Sequence, residues 1–227
     1  MGITKNIHLI FHDWGEPCPP LFMECEKRIR DMHPSWNIKM WDDEAGFEFV
    51  KEYLPAHLQA YKDFPQKVQR TDFLRLALVY VFGGFYMDLD ILPIQPLDSL
   101  TDLSLVLAEE MTISEARQKA LNLKYRIRIA NYMFGGTSGH PFIRSVIDSM
   151  ALRSSMAVTS QQEVLDITGP GLLTDTYWDN VDAYQDITLL RNQGQYYVMP
   201  DGRREPCLFG DYAVHLHTGT WRKGLSL

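Results

Sequence analysis

GGFYMDLDILPIQPL, residues 83–97, closes a long apolar run with two carboxylates one residue apart, Asp88 and Asp90. The run before it, QKVQRTDFLRLALVYVFGG (66–84), predicts a helix. From Phe73 to Phe82 it is apolar nearly all round, broken only by Arg75, so the helix is expected to be buried rather than amphipathic. Gly83-Gly84 ends it by supplying positive φ, and FYMDLDIL is then expected to leave the core as a strand. Side chains at i and i+2 of a strand share a face, so Asp88 and Asp90 point together while Leu89 points away. Pro93 and Pro96 forbid a long regular strand, which puts the pair at a strand's carboxyl end, emerging into a loop. That is where open α/β sheets bind their ligands.

Two carboxylates on one face repel each other and need a compensating cation. Mg²⁺ or Mn²⁺ is the natural candidate, held by one or two carboxylates while substrate phosphates complete the shell. The pair reads as a divalent-metal clamp for a phosphorylated substrate; the plainer alternative is two solvated acids at a strand end. Asp72 and Arg75, three apart on the buried helix, lie on one face of it. Charges buried in an apolar helix are costly unless paired or used. They form an intrahelical ion pair, or they reach the hydroxyls of a sugar or ribose, which a forked guanidinium and a carboxylate suit well. His215 and His217 are likewise i and i+2 in the alternating stretch 212–217, followed by Gly219 and Trp221. An imidazole there is a plausible further metal ligand, suiting Mn²⁺ better than Mg²⁺; packing is the plainer fate of a lone His or Trp.

Outward from this core, NIHLIF (6–11) reads as a strand, LFMECEKRIRDM from Pro20 to about Met32 as a helix stopped by HP, and WNIKMW (36–41) as a second strand. Strand, helix, strand predicts an α/β unit with a parallel pair. DDEAGFEFVKEYL opens with acids suited to a helix amino terminus. LSLVLAEE (103–110) is strand-like, and FIRSVIDSMALRSS after HP at 140–141 is helical in pattern.

The 227 residues are 45% hydrophobic, enough for one good core, with no repeat, linker or low-complexity tract, so residues 1–227 are expected to form one domain. A formal net charge of −7 argues against nucleic acid as a partner. Cys18, Cys25 and Cys207 are three thiols that cannot all pair, which fits a reducing, cytoplasmic setting. MGITKNIHLIFHDWG does not read as a signal peptide, lacks the Ser/Thr of a myristoylation motif, and no stretch approaches the roughly 18 apolar residues of a membrane span. The basic residues Lys119, Lys124, Arg126 and Arg128 would face anionic lipid or, more plainly, belong to a solvated helix of mixed charge, and the hydropathy permits at most peripheral membrane contact.

QRTDFLRLALVYVFGGFYMDLDILPIQPL (69–97) resembles the core of the DXD-containing sugar transferases of glycosyltransferase family 32, where a helix carrying Asp-x-x-Arg runs into Gly-Gly-x-Tyr-x-Asp-x-Asp. NIHLIF is similar to that family's opening strand, HPSWNIKMWDDE to its second strand, ITGPG (167–171) to its Gly-Pro loop, and YAVHLHTGTW to its closing segment. The resemblance implies a GT-A fold: a Rossmann-like, mixed and mostly parallel central sheet flanked by helices, binding a UDP- or GDP-linked sugar with Mn²⁺ or Mg²⁺. It implies a metal-dependent, retaining transfer of a hexose to a glycan, lipid-linked or small-molecule acceptor. Asp88 and Asp90 would bind the metal and donor phosphates, with His215 or His217 completing the metal shell. Asp72 and Arg75 would hold the donor, Trp221 would close over it, and Asn131 matches an Asn opening the IANYMFGG segment. Where the family usually has Trp in the first strand this chain has Phe11, with Trp14 three residues on, so either would stack on the base. Leu9 stands where the family has Gln.

Two rivals remain from sequence. A phosphatase of the haloacid-dehalogenase type also carries Asp-x-Asp after an apolar strand, but Gly83-Gly84 makes the preceding segment a helix end and no late Asp-Asp follows. A silent nucleotide-sugar-binding module is the other, against which the joint presence of Asp72, Arg75, Asp88 and Asp90 speaks.

Overall fold

The computed structural model describes residues 2–12 and 17–225. Its elements are β1 (Asn6–Ile10), α1 (Pro20–Met32), β2 (Asn37–Trp41), α2 (Asp43–Tyr53), α3 (Leu58–Asp63), α4 (Lys67–Phe82), β3 (Gly84–Met87), β4 (Ile91–Pro93) and β5 (Leu105–Thr112). There follow α5 (Glu115–Ala120), β6 (Ile127–Ile129), β7 (Met133–Gly136), α6 (Pro141–Ala151), α7 (Gln161–Ile167), α8 (Pro170–Asp179), β8 (Ile187–Leu190), β9 (Tyr196–Val198), β10 (Arg204–Pro206) and β11 (Ala213–His215). The central sheet runs β2-β1-β3-β7-β5-β6, with β8 joined to β5. β2, β1 and β3 are parallel neighbours, β7 is antiparallel to both β3 and β5, and β8 is parallel to β5. Only β7 and β6 therefore run against the rest, and the expected mixed, mostly parallel sheet is what forms.

Period-two alternation sorts side chains to the two faces of this sheet. Tyr86, Leu105 and Leu107 enter one apolar cluster with α4, α6 and α8, whereas Phe85, Met87, Val106 and Ala108 enter a second with Phe22 and Ile29 of α1. Every residue of β3 is buried, as a strand covered on both faces requires. α4 buries residues all round its circumference, including Asp72 and Arg75, as its unbroken apolar sequence predicts. Gly83 (φ 65°) and Gly84 (φ 104°) then turn helix into strand with no intervening loop. A Cβ at Gly84 would lie 2.5 Å from the backbone oxygen of Asn6, so the close approach of β3 to β1 also requires glycine there.

The structure corrects the extended DLDIL strand. β3 stops at Met87, and Leu89 and Asp90 form a turn closed by the Ile91 amide donating to the Asp88 carbonyl at 3.1 Å. The burial of Leu89 in the second cluster draws the chain off the sheet, and β4 then pairs with β11 instead. The 212–217 strand is likewise shorter: it ends at His215, and His217 takes a left-handed φ of 49°. Among the described residues no helix is long and apolar enough to cross a membrane, and all three cysteines are free.

His8 fastens β1 to its surroundings in a way that fixes its protonation. Its Nε2 meets the Gly83 carbonyl at 3.0 Å, while the Trp41 indole donates to Nδ1 at 3.4 Å. One nitrogen must donate and the other accept, which only the neutral ring can do. Burial, the dominant cause, pulls its pKa down to about 4. The folded value lies below the unfolded one near 6.5, so the unfolded chain takes up the proton first. This contribution to stability is full above pH 6.5 and is lost as pH falls from there through about 4. We expect the His8 ring to stay neutral by NMR down to about pH 4, and urea stability to decline across that window. An imidazole titrating near 6.5 would contradict the buried arrangement.

Candidate active site

The Asp88–Asp90 turn sits where three parts of the chain meet: α4, the segment leading into β7, and the segment after β11. A cleft of about 780 Å³ opens there, lined among others by Phe11, Asp72, Arg75, Asp88, Asp90 and Trp221.

Asp90 is the best-anchored group. Its Oδ2 accepts from the Thr218 amide at 2.9 Å and the Thr218 hydroxyl at 2.8 Å, and its Oδ1 lies 3.2 Å from His215 Nε2. Its backbone oxygen accepts from the Leu216 amide at 3.0 Å. Burial alone would raise the Asp90 carboxyl, but the bonds from His215 and Thr218 outweigh it and hold the group down at about 2. Asp88 goes the other way: burial raises it and the Asp90 charge adds to the rise, against the opposing pull of Arg75. The Tyr86 hydroxyl donates to Asp88 Oδ1. One ligand atom from each of Asp88, Asp90 and His215 lies within 4.8 Å of the others. His215 Nδ1 is buried and has no hydrogen-bond partner among the described residues. Two hard carboxylates and an imidazole suit a divalent cation, Mn²⁺ in particular.

Of the two histidines, His215 belongs to this group. His217 packs its ring 3.9 Å from that of His215, centroid to centroid, and burial followed by the neighbouring His215 charge lowers its pKa. The strand argument had the two sharing a face as equals; the strand ends at His215, and His217, with its left-handed backbone, packs beside that ring without joining the ligand group.

Asp72 and Arg75 satisfy both readings of the sequence, since they pair with each other at 3.2 Å and also line the cleft. Arg75 Nη1 donates to the Asn131 carbonyl at 2.8 Å and lies 3.5 Å from Asp88 Oδ1. The guanidinium carbon stands 4.8 Å from the centre of the Tyr86 ring. Asp72 accepts from Asn131 Nδ2 at 3.1 Å and from the Thr168 hydroxyl at 2.9 Å. Its carboxyl is raised by burial, with Arg75, Thr168 and Asn131 opposing. Asn131 thus binds Asp72 with its side chain and Arg75 with its backbone.

Phe11 is half-buried just past β1, its amide held by the Trp41 carbonyl at 2.9 Å. Trp221 is half-buried in the short 3-10 turn Thr220–Gly224, with the Arg222 guanidinium 5.4 Å from its ring centre. Trp14 lies outside the described residues. Lys119 pairs with Glu115, and Lys124 with Asp179, so these two members of the basic cluster are matched by acids.

The sequence reading missed Tyr86, Thr168, Thr218, Tyr132, Glu110 and Arg128, all but Thr168 of which line the cleft. Tyr86 carried a signal, being two residues before Asp88 in a strand. The others reach the site only through long-range pairing.

Residues 19–107 match the family described as the glycosyltransferase sugar-binding region containing the DXD motif. A mannosyl phosphorylinositol ceramide synthase of Saccharomyces cerevisiae is 24% identical over 172 residues, 76% of this chain and 41% of that protein. An inositol phosphoceramide mannosyltransferase of Schizosaccharomyces pombe is 26% identical over 149 residues, 66% of this chain and 37% of that protein. The chain spans about four tenths of the length of these curated relatives. The solved PaToxG glycosyltransferase superposes with a TM-score of 0.58 at 18% identity, covering 81% of this chain and 76% of that one. The resemblance read from residues 69–97 is borne out: residues 19–107 match the DXD-containing glycosyltransferase sugar-binding region, and the chain takes the GT-A fold.

Proposed function

We propose that the chain is a metal-dependent, retaining glycosyltransferase that moves a hexose from a UDP- or GDP-linked donor to a hydroxyl of a glycan, lipid-linked or small-molecule acceptor. The observation that carries this reading is the convergence of Asp88, Asp90 and His215 beside a buried Asp72–Arg75 pair in one cleft. Mannose is the first sugar to test, because the yeast relatives bear mannosyltransferase names. Asp88, Asp90 and His215 would hold the cation, with Thr218 fixing Asp90 in its ionised form. A divalent cation bound there would neutralise charge on the departing nucleoside diphosphate. Arg75 and Asp72 bind hydroxyls of the donor, kept in register by Asn131 and Thr168. Phe11 offers an aromatic face for the base, and Trp221 covers the donor from the closing turn. We assign no protein nucleophile or base: the acceptor attacks from the face the phosphate leaves, and that phosphate takes the proton. The match of residues 19–107 to a sugar-binding region supports transfer over phosphatase chemistry.

Calorimetric titration with UDP and with GDP, each with Mn²⁺ and with EDTA, tests the reading. The expected result is metal-dependent binding of one nucleotide. Binding of neither in any condition would refute it, and turnover of p-nitrophenyl phosphate would then favour the phosphatase.

A further inference from the structure

The cleft holds a second carboxylate–guanidinium pair that the roles above leave unused. Glu110, near the end of β5, and Arg128 of β6 face each other at 2.9 Å with side chains only 18% and 16% exposed. Both line the same cleft as the Asp88–Asp90 turn. An ion pair with so little access to water is a weak source of stability, since desolvation cancels most of the attraction. Its geometry is also incomplete. Glu110 Oε2 and Arg128 Nε are both buried, and neither is satisfied by a well-formed hydrogen bond among the described residues.

Beside the carboxylate turn lies Tyr132, 3% exposed, whose carbonyl accepts from the Asp88 amide at 2.8 Å and whose hydroxyl lacks any hydrogen-bond partner among the described residues. Its ring lies 4.2 Å from that of His215. A buried phenol hydroxyl costs free energy unless something satisfies it, and it lines the cleft. The sheet order gives these groups a separate place. β3, which delivers Asp88, closes the parallel β2-β1-β3 half with Phe11 at its rim, whereas Glu110 and Arg128 ride on β5 and β6, beyond β7. One substrate on the parallel half is served by Asp72 and Arg75; the other half needs its own hydroxyl-binding groups.

We infer that Glu110, Arg128 and the Tyr132 hydroxyl form the acceptor subsite, binding adjacent hydroxyls of a polyol ring, either a sugar or a cyclitol headgroup. The carboxylate accepts from one hydroxyl, the guanidinium fork donates to its neighbour, and Tyr132 supplies a donor nearer the reacting centre. This rests on the glycosyltransferase reading above. Exposed Met111 and Leu121 at the same cleft leave room for an apolar group attached to the ring.

The test uses the whole chain saturated with Mn²⁺ and whichever nucleotide binds. Methyl α-D-mannopyranoside and myo-inositol are titrated separately by NMR, so that a glycan-like and a headgroup-like ring are told apart. Wild type is expected to bind at least one of them saturably. Glu110→Gln should weaken that binding at least tenfold while nucleotide affinity changes less than twofold. The double variant Glu110→Gln with Arg128→Met removes both charges at once and guards against misfolding from a lone buried ion. It should melt within a few degrees of wild type and still fail to bind the ring. Three results would overturn the subsite: no ring binding by wild type, unchanged ring binding in folded variants, or parallel loss of nucleotide and ring. Absence of nucleotide binding by wild type would instead strike the glycosyltransferase reading itself.

Discussion

Asp90→Asn is expected to abolish Mn²⁺-dependent nucleotide binding, lowering affinity by more than about 100-fold, and to stop transfer, with the fold left in place. Loss of groups that merely orient metal ligands costs roughly 10–100-fold, so loss of a charged ligand should exceed that range. Asp90 is suited to the role because it is already ionised before any cation arrives: His215 and Thr218 hold its pKa at about 2 although it is buried. Asparagine keeps the shape and can still accept from Thr218, so the loop after β11 stays docked. It loses the charge and the pairing with His215. Relief of the repulsion between Asp88 and Asp90 offsets part of that loss, and the melting temperature should move by only a few degrees. Thermal melts with and without Mn²⁺ and nucleotide make the distinction. Wild type gains stability by mass action when both are present; the variant should gain none. A variant that melts normally and still binds nucleotide only with Mn²⁺ would remove the clamp.

The parts of this site that could be read from sequence are those whose geometry is local. The all-apolar α4, the Gly83-Gly84 break and the Asp88–Asp90 spacing each follow from a few neighbouring residues, and all lie where they were expected. The strand through Asp88 and Asp90 failed for a reason that is not local. Whether DLDIL extends or turns depends on the second core receiving Leu89 and on β11 pairing with β4. Thr168 reaches Asp72 across 96 residues and Thr218 reaches Asp90 across 128. Nothing in ITGPG or HTGTW announces those partners until the sheet order is known. Glu110 and Arg128 were visible only as one strand-end acid and one member of a basic cluster; the pairing of β5 with β6 makes them a unit.

Arg75→Met should be the most destabilising single change at the site, costing about 3–5 kcal/mol, as removal of one partner from a buried pair does. For a chain of this size that corresponds to a fall in melting temperature of roughly 10 °C. The guanidinium stands between the buried Asp72 carboxylate at 3.2 Å and the partly exposed Asp88 carboxylate at 3.5 Å, and also donates to the Asn131 carbonyl. Methionine matches the stem but leaves both acids facing each other without a cation. Lysine restores one charge without the fork, so Arg75→Lys should recover only part of the loss. Adding Asp72→Asn to Arg75→Met should recover at least about 1 kcal/mol relative to additivity, since the two residues share one network. The pH dependence supplies an independent check. Burial already raises the Asp72 carboxyl, and Arg75 is the first of the forces opposing that rise. Without Arg75 the folded-state value climbs further above the unfolded one near 3.8. At pH below the unfolded value both states hold the proton; above it the unfolded chain ionises while the folded one resists, so stability falls as pH rises toward the folded value. Relative to wild type, Arg75→Met should therefore lose less stability in urea melts at pH 5.5 than at pH 8, and that difference should shrink when Asp72→Asn is added. A destabilisation relative to wild type that is equal at both pH values would mean that water reaches the carboxylates once the arginine is gone, and that Arg75 serves the donor without bearing on their ionisation.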